Sequence, residues 1–101
     1  KIIYVPGVFE IPYAISKNLK KYDAFIALGC LIKGETPHFD FISKSSIDAI
    51  MKLSIESKKP IGNGILTCLN RDQAIERADK SNKNKGKEAA NAAIELLINN
   101  N

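Results

Sequence analysis

The segment GETPHFD, residues 34–40, contains the only histidine of the 101-residue chain. Gly34 lets the backbone approach a ligand closely, and the backbone N–H groups of Glu35 and Thr36 lie near the start of a predicted long helix. Such a helix end favours an anion, most simply a phosphate, because its N–H groups and its dipole both attract negative charge. His38 falls in the first turn of this helix, where an imidazole can transfer protons near neutral pH. The alternative is that His38 is a surface or capping residue without a chemical role.

Two further charged residues fall at turns where a ligand can bind. Arg77, in QAIERA, carries a planar guanidinium that suits an oxyanion such as phosphate, but the same pattern fits a solvent-facing position on an ordinary amphipathic helix. Glu10 lies just inside a turn, where it either accepts hydrogen bonds from ligand hydroxyls or complements the dipole of its own helix. We expect Phe9 to lie in the core, and Lys83 and Lys85 to be exposed.

The two cysteines, Cys30 and Cys68, end two separate predicted strands. No CxxC motif is present and no histidine is close to either of them. This arrangement argues against a disulfide framework and against a zinc site, so we predict no metal. The spacing favours reduced, buried thiols in a cytosolic protein.

Short apolar runs alternate with helical patterns along the chain. The predicted strands are residues 2–5, 23–32 and 61–68, and the predicted helices are residues 9–22, about 42–59, 69–78 and about 84–98. Strands that alternate with helices in this way imply a parallel sheet with right-handed crossovers, and therefore a layered α/β fold. Ligands of such folds bind beyond the carboxyl ends of the strands, which is where PGVFEIP, KGETPHFD and TCLNRDQ lie.

Several local signals support the predicted helix boundaries. Pro12 lies near a helix start, where the missing N–H costs least; Asn70 is a candidate N-cap; and Pro60 ends the long second helix. The apolar positions at helical spacing are Ile11, Ala14, Ile15 and Leu19 in the first helix, Ile42, Ile47, Ile50, Met51 and Ile55 in the second, and Ala90, Ala93, Ile94 and Leu97 in the last.

Length and composition predict one soluble globular domain, residues 1–101. The net charge is +4 with only two arginines, which argues against nucleic acid and fits small phosphorylated ligands. No stretch reaches the ~18 apolar residues of a membrane span. The chain begins at Lys1 and enters an apolar run at once, so we expect a fragment or a trimmed chain. A domain this small with so thin a sheet also suggests partners.

Five motifs together extend these predictions to a family. VPGVFEIP, ALGCLIKGETPHFDF, NGILTC, QAIERA and NKGKEAANAAIELL resemble, in order and spacing, 6,7-dimethyl-8-ribityllumazine synthase. The resemblance covers essentially the whole chain. It implies a flavodoxin-like αβα fold with three layers and a four-stranded parallel sheet, of which this chain would contribute three strands. It also implies a cytoplasmic transferase of riboflavin biosynthesis, which joins 5-amino-6-(D-ribitylamino)uracil to 3,4-dihydroxy-2-butanone 4-phosphate with loss of phosphate and water. No cofactor is implied.

The resemblance assigns roles to individual residues. His38 would transfer protons. Lys85 would act electrostatically near the substrate. The other residues fall into two groups: phosphate would be bound by Glu35, Thr36 and Arg77, and the pyrimidine and ribityl chain by Val8, Phe9, Glu10, Cys30, Leu31, Ile32 and Asn63.

The chain departs from the family pattern in three places. A first strand and helix, with an aromatic residue that stacks on the pyrimidine, are missing. Asn63 stands where many members have a phenylalanine that reaches into the neighbouring subunit's site, and asparagine cannot stack. The loop ADKSNKNKG has unusual residues at Asp79 and Ser81, which affects the expected loop contacts but not the fold.

The family forms homo-oligomers whose sites lie between neighbouring subunits of a pentamer, and some members stack twelve pentamers into a shell that can hold riboflavin synthase. We therefore expect a homo-oligomer, pentameric or a multiple. Three alternatives stay open: an inactive fragment or structural subunit of such an assembly, the archaeal type of riboflavin synthase, and a generic flavodoxin-like phosphate binder.

Overall fold

A computed structural model describes residues 1–99 of the chain. A 3₁₀ turn, Val8–Glu10, leads directly into the first helix. The remaining elements, in chain order, are α1 (Ile11–Asn18), β1 (Phe25–Ile32), α2 (His38–Ser57), β2 (Ile61–Cys68), α3 (Arg71–Ala78) and α4 (Lys85–Asn99). Every helix and the two later strands that the sequence predicts are present, with shifts of a few residues at several ends.

The two strands pair in parallel, in a register that runs from Phe25 opposite Ile61 to Ile32 opposite Cys68. Both strands are mostly apolar, and helices pack on both faces of the pair, as in a parallel sheet. On one face, however, the β1 residues Ile26, Leu28, Cys30 and Ile32 stay exposed. Because the strands are in register, their carboxyl ends finish at the same edge. That edge carries the loops before α2 and α3.

Helices cover the two faces of the sheet in pairs. On one face the main core joins Val8, Ile11, Ile15, Ala27, Ile50 and Ile65, so the 3₁₀ turn, α1 and α2 pack there. On the other face α4 lies so close to β2 that a Cβ added at Gly62 would stand 2.1 Å from the Ala89 carbonyl oxygen. The Arg77 guanidinium of α3 lies against Cys68 on this second face. The result is the predicted three-layer αβα arrangement.

The predicted first strand is wrong. Residues 2–5 form no strand, so the sheet of the described chain has two strands where the sequence suggested three. A strand exists only through the ladder of hydrogen bonds to a neighbour. Residues 1–5 instead line a cleft of about 560 Å³, together with residues of α1 and residues 24–28. The apolar run IIYV therefore has the composition of a strand but lacks a partner.

Local chemistry accounts for the helix ends. The Asn70 side chain accepts a hydrogen bond from the Gln73 backbone N–H at 2.9 Å, which confirms the predicted cap of α3. Helix α2 ends at Ser57 because Lys58 adopts a left-handed conformation (φ 59°) two residues before Pro60. Among residues 1–99, no helix combines the length and apolarity that a membrane span requires.

Some apolar residues that periodicity assigns to a buried face are exposed. On α2, Ile50 is buried but Met51 and Ile55 are 58% and 67% exposed. On α4, Ala93 is buried, whereas Ile94 and Leu97 are exposed. Phe9, expected in the core, is 62% exposed, because Val8 is the residue of the turn that enters the core.

Candidate active site

The carboxyl edge of the sheet brings two loops side by side. The backbone N–H of Lys33, just after β1, donates to the Cys68 carbonyl at the end of β2, at 2.9 Å. This bond continues the strand ladder one step beyond β1 and fixes where the loop toward α2 departs. The histidine-containing segment and the start of α3 consequently share one edge, as the topology predicted.

The loop from Gly34 to Pro37 is exposed along its whole length, as is His38, the first residue of α2. The Thr36 Oγ1 accepts the His38 backbone N–H at 3.4 Å, so the hydroxyl hydrogen of Thr36 is still available to a ligand. A Cβ added at Gly34 would meet nothing within 4 Å. Open space therefore lies beside the N-terminus of α2, a helix of 20 residues. The backbone N–H groups of its first turn can bind an anion there.

The turn Val8–Glu10 places its three residues differently. Val8 is buried and packs beneath Gly29, where an added Cβ would come within 2.9 Å of the Val8 Cγ2. Because the Val8 side chain is buried, only the backbone of this residue can contact a ligand. Phe9 points its ring into solvent, and Glu10 is half-buried with a carboxylate oxygen near Gly7.

The end of β1 alternates between the two faces of the sheet. Leu31 packs against the main core, while Cys30 and Ile32 are exposed on the opposite face. Both cysteines are free thiols; Cys68 is buried as predicted, but the prediction that Cys30 is buried is wrong. Burial of part of the Cys30 thiol raises its pKa, and the neighbouring Cys68 thiol, through its charge and a hydrogen bond, raises it further.

Arg77 lies at the end of β2, in a basic cleft of about 280 Å³. Its Nη1 donates to the Thr67 carbonyl at 3.0 Å and to the Cys68 Sγ at 3.6 Å. The residues that line this cleft, called here the Arg77 cleft, are Asn63, Gly64, Ile65, Leu66, Thr67, Arg77, Lys83 and Lys85. It runs along the outer edge of β2.

The charges of the Arg77 cleft are unbalanced. Lys85 lies 3.1 Å from Glu88 and Lys83 lies 4.0 Å from Glu76, but no carboxylate within the described chain approaches Arg77 to 4.0 Å. A half-buried guanidinium without a carboxylate partner, flanked by two ammonium groups, favours an anionic ligand with acceptor oxygens.

The predicted site residues thus form two groups. The first group comprises Val8, Phe9, Glu10, Cys30, Leu31, Ile32, Glu35, Thr36 and His38, which lie in the turn before α1, at the end of β1, in the loop after it and at the start of α2. The second group, Asn63, Arg77 and Lys85, lines the Arg77 cleft, and none of the first group lines it. The Asn63 Oδ1 accepts the Ile65 backbone N–H at 3.0 Å along the strand edge, so the amide nitrogen of this exposed side chain is the group that can meet a ligand.

Three contributors to the Arg77 cleft were not singled out from the sequence. Lys83, expected to be only a solvent-exposed residue, lines the cleft, and the Thr67 carbonyl and the Cys68 thiol hold Arg77. The one available signal was position: Thr67 and Cys68 end a strand in a fold whose ligands bind at strand ends. Among residues 1–99, no group of three or more His, Cys, Asp or Glu side chains is placed to hold a metal ion.

Comparison with known proteins agrees with the motifs. A family model described as 6,7-dimethyl-8-ribityllumazine synthase matches residues 1–100. Similar proteins named 6,7-dimethyl-8-ribityllumazine synthase include one from Bartonella tribocorum, 50% identical over 98 residues (94% of this chain, 65% of the relative). Another, from Corynebacterium kroppenstedtii, is 44% identical over 95 residues (92% and 60%), and one from Agrobacterium fabrum is 47% identical over 103 residues (95% and 70%).

The chain spans less than two thirds of the length of the first two of these relatives. Within the aligned part the similarity extends over nearly every residue of the chain. On this match, the chain belongs to the 6,7-dimethyl-8-ribityllumazine synthase family.

Proposed function

We propose that the full natural chain is a 6,7-dimethyl-8-ribityllumazine synthase, with residues 1–101 as its synthase domain. It condenses 5-amino-6-(D-ribitylamino)uracil with 3,4-dihydroxy-2-butanone 4-phosphate and releases phosphate and water. The observation that carries this proposal is the Arg77 guanidinium, which meets no carboxylate among residues 1–99, at the carboxyl edge of a sheet whose other loop holds the single histidine. A phosphate-bearing substrate and a proton-transfer reaction need these two groups.

The chemistry assigns a task to each group. The amine of the pyrimidine attacks the ketone, and loss of water gives an imine. Phosphate is then eliminated, and the ring closes with loss of a second water. His38, exposed at the start of α2, takes and returns protons during these steps. The backbone N–H groups at Glu35 and Thr36, with the Thr36 hydroxyl, bind the phosphate while it leaves.

Arg77 supplies charge to the same leaving group, with Lys85 nearby. Backbone groups at the end of β1, Cys30–Ile32, together with Val8–Glu10, hold the pyrimidine and the ribityl chain. The exposed Phe9 ring offers an apolar surface to the ligand, and Asn63 contributes at the edge of β2. No metal or cofactor is required by this sequence of steps.

We further propose that the active site forms between two copies of the chain, in a homo-oligomer built from pentamers. Two observations support this. The loop that carries His38 is wholly exposed, so one copy does not enclose it, and no residue of that loop lines the Arg77 cleft. Large apolar side chains such as Met51 and Ile55 on α2 are exposed, as expected of a surface that another subunit covers. A cytoplasmic location and an association with riboflavin synthase are part of the same proposal.

The test is lumazine formation by the purified full natural chain, followed by absorbance with both substrates present. We expect His38→Ala to lower kcat by about a hundredfold or more, the usual size of a general acid–base contribution. Lys44→Ala is the matched control, since Lys44 is exposed on α2 and pairs only with Asp48 at 2.8 Å. Wild-type protein that assembles, as judged by light scattering, but forms no lumazine would refute the proposed activity and leave a structural subunit.

A further inference from the structure

The guanidinium of Arg77 is held at one corner by the end of β2. Nη1 has two hydrogens, and it donates to two acceptors, the Thr67 carbonyl at 3.0 Å and the Cys68 Sγ at 3.6 Å. Cys68 is fully buried (0% exposed). Its sulfur therefore has a fixed position, against which the long arginine side chain can be oriented.

The rest of the guanidinium is available to a ligand. Arginine has five N–H groups in a planar fork. The two on Nη1 are used by Thr67 and Cys68, so three remain, one on Nε and two on Nη2. Within residues 1–99 these three make no hydrogen bond and meet no carboxylate within 4.0 Å. An edge that presents Nε and Nη2 together is the arrangement that binds two oxygens of a phosphate at once.

The two acceptors of Nη1 are held in position by different parts of the protein. The Thr67 carbonyl belongs to the backbone of β2 and is positioned by strand pairing opposite Leu31. The Cys68 sulfur is a side-chain atom, so it is present only because this position is a cysteine. Of the two contacts, only the one to Cys68 depends on the residue type at its position.

We propose that Cys68 is a positioning residue, whose buried sulfur orients Arg77 so that the Nε and Nη2 edge of the guanidinium faces the phosphate group of the substrate. This inference rests on the proposed function, because it takes phosphate as the ligand of Arg77. Cys68 does not touch the substrate. Its effect is to restrict a flexible side chain before the ligand arrives, which reduces the entropy lost on binding.

The test compares three substitutions of Cys68 in the full natural chain. Cys68→Ser keeps an acceptor at nearly the same place, Cys68→Ala removes it, and Cys68→Val removes it while filling the space. We measure the affinity for inorganic phosphate by calorimetry, and KM for the phosphorylated substrate separately from kcat. Thermal unfolding of each variant is recorded to verify that it is folded.

We expect Cys68→Val and Cys68→Ala to weaken phosphate binding and raise this KM by about two- to tenfold, the range of a single hydrogen bond. Cys68→Ser should stay within about twofold of wild type, and kcat should change little in all three. Recovery of affinity by serine is the readout that a purely structural role of Cys68 would not produce.

Two results overturn the inference, and they are distinguishable from failure of the proposed function. Wild-type affinity in the folded Cys68→Val variant, or an equal loss in the serine and valine variants, means that Cys68 does not position Arg77. In either case Arg77→Lys still weakens phosphate binding, so the function stands. If the wild-type protein itself binds no phosphate and forms no lumazine, both proposals fall.

Discussion

Helix α4 packs closely against β2 at Gly62, and we predict that Gly62→Ala is severely destabilising. An added Cβ would lie 2.1 Å from the Ala89 carbonyl oxygen, 2.8 Å from its carbonyl carbon and 3.4 Å from its Cα. All three are backbone atoms of α4, so no side chain can rotate away. Gly62 does not have a positive φ, so the effect comes from the close contact alone.

The size of the effect follows from the shift that is needed. Ordinary contacts of a Cβ begin near 3.4 Å, so the backbone of α4 would have to move by roughly 1 Å against close packing. Overpacking of this kind costs typically about 1–3 kcal/mol, and we expect at least the upper end because the obstacle is rigid. A small domain has only about 5–15 kcal/mol of stability in total. The same shift would displace Lys85, which begins α4 and lines the Arg77 cleft.

The measurement is urea unfolding followed by circular dichroism, at one fixed protein concentration because self-association of the chain would stabilise the folded state. Gly34→Ala is the matched control, since a Cβ there meets nothing within 4 Å and the glycine has no positive φ. We expect it to change the free energy of unfolding by less than about 0.5 kcal/mol. Equal unfolding curves for the two variants would show that α4 does not pack against β2 at this distance.

Three other predictions follow from single contacts. Ser46 is buried and its Oγ makes no hydrogen bond within the described chain, so Ser46→Ala should raise the free energy of unfolding by about 1 kcal/mol; a loss would reveal an unseen partner. Lys59 donates hydrogen bonds from Nζ to carbonyl groups just after α1, so Lys59→Met should lower the free energy of unfolding by about 1–2 kcal/mol. Lys58→Met, at the exposed neighbouring residue, should lower it little, and equal losses in the two variants would contradict this reasoning. Hydrogen bonds from the Ser81 N–H and Oγ lower the pKa of Asp79 below its ordinary 3.8. This stabilisation is present above pH 3.8 and is lost as pH falls through the folded pKa. In Ser81→Ala, NMR titration should find the pKa of Asp79 closer to 3.8. An unchanged pKa would show that the Ser81 hydroxyl does not lower it.

Much of the fold could be predicted because its signals are local. Strand β2 was predicted at its observed bounds, since a short, mostly apolar stretch between Pro60 and a polar turn is too short for a core helix and favours a strand. The cap at Asn70 follows from side-chain chemistry alone. The first strand could not be predicted in the same way, because IIYV has strand propensity but a strand also requires a neighbour at hydrogen-bonding distance.

The candidate site was predictable in its location and less so in its contacts. Topology places the loop with His38 and the end of β2 at one edge, and that arrangement is present. The contact of Arg77 with Thr67 and Cys68 joins residues nine and ten positions apart, across a turn. Its existence depends on how α3 is oriented against β2, and no periodicity in the sequence encodes that orientation.

Burial was the least predictable property, for a physical reason that bears on assembly. The residues that α4 buries against the sheet are alanines, Ala89 and Ala93, because the close approach at Gly62 leaves no room for larger side chains. The larger Ile94 and Leu97 of the same helix stay exposed. In a protein stabilised by its own core alone, large apolar side chains would be buried first, since each contributes more free energy than an alanine. The reversed order on α4, together with the exposed Met51 and Ile55 on α2, is what a subunit needs when its larger apolar residues are covered by other copies.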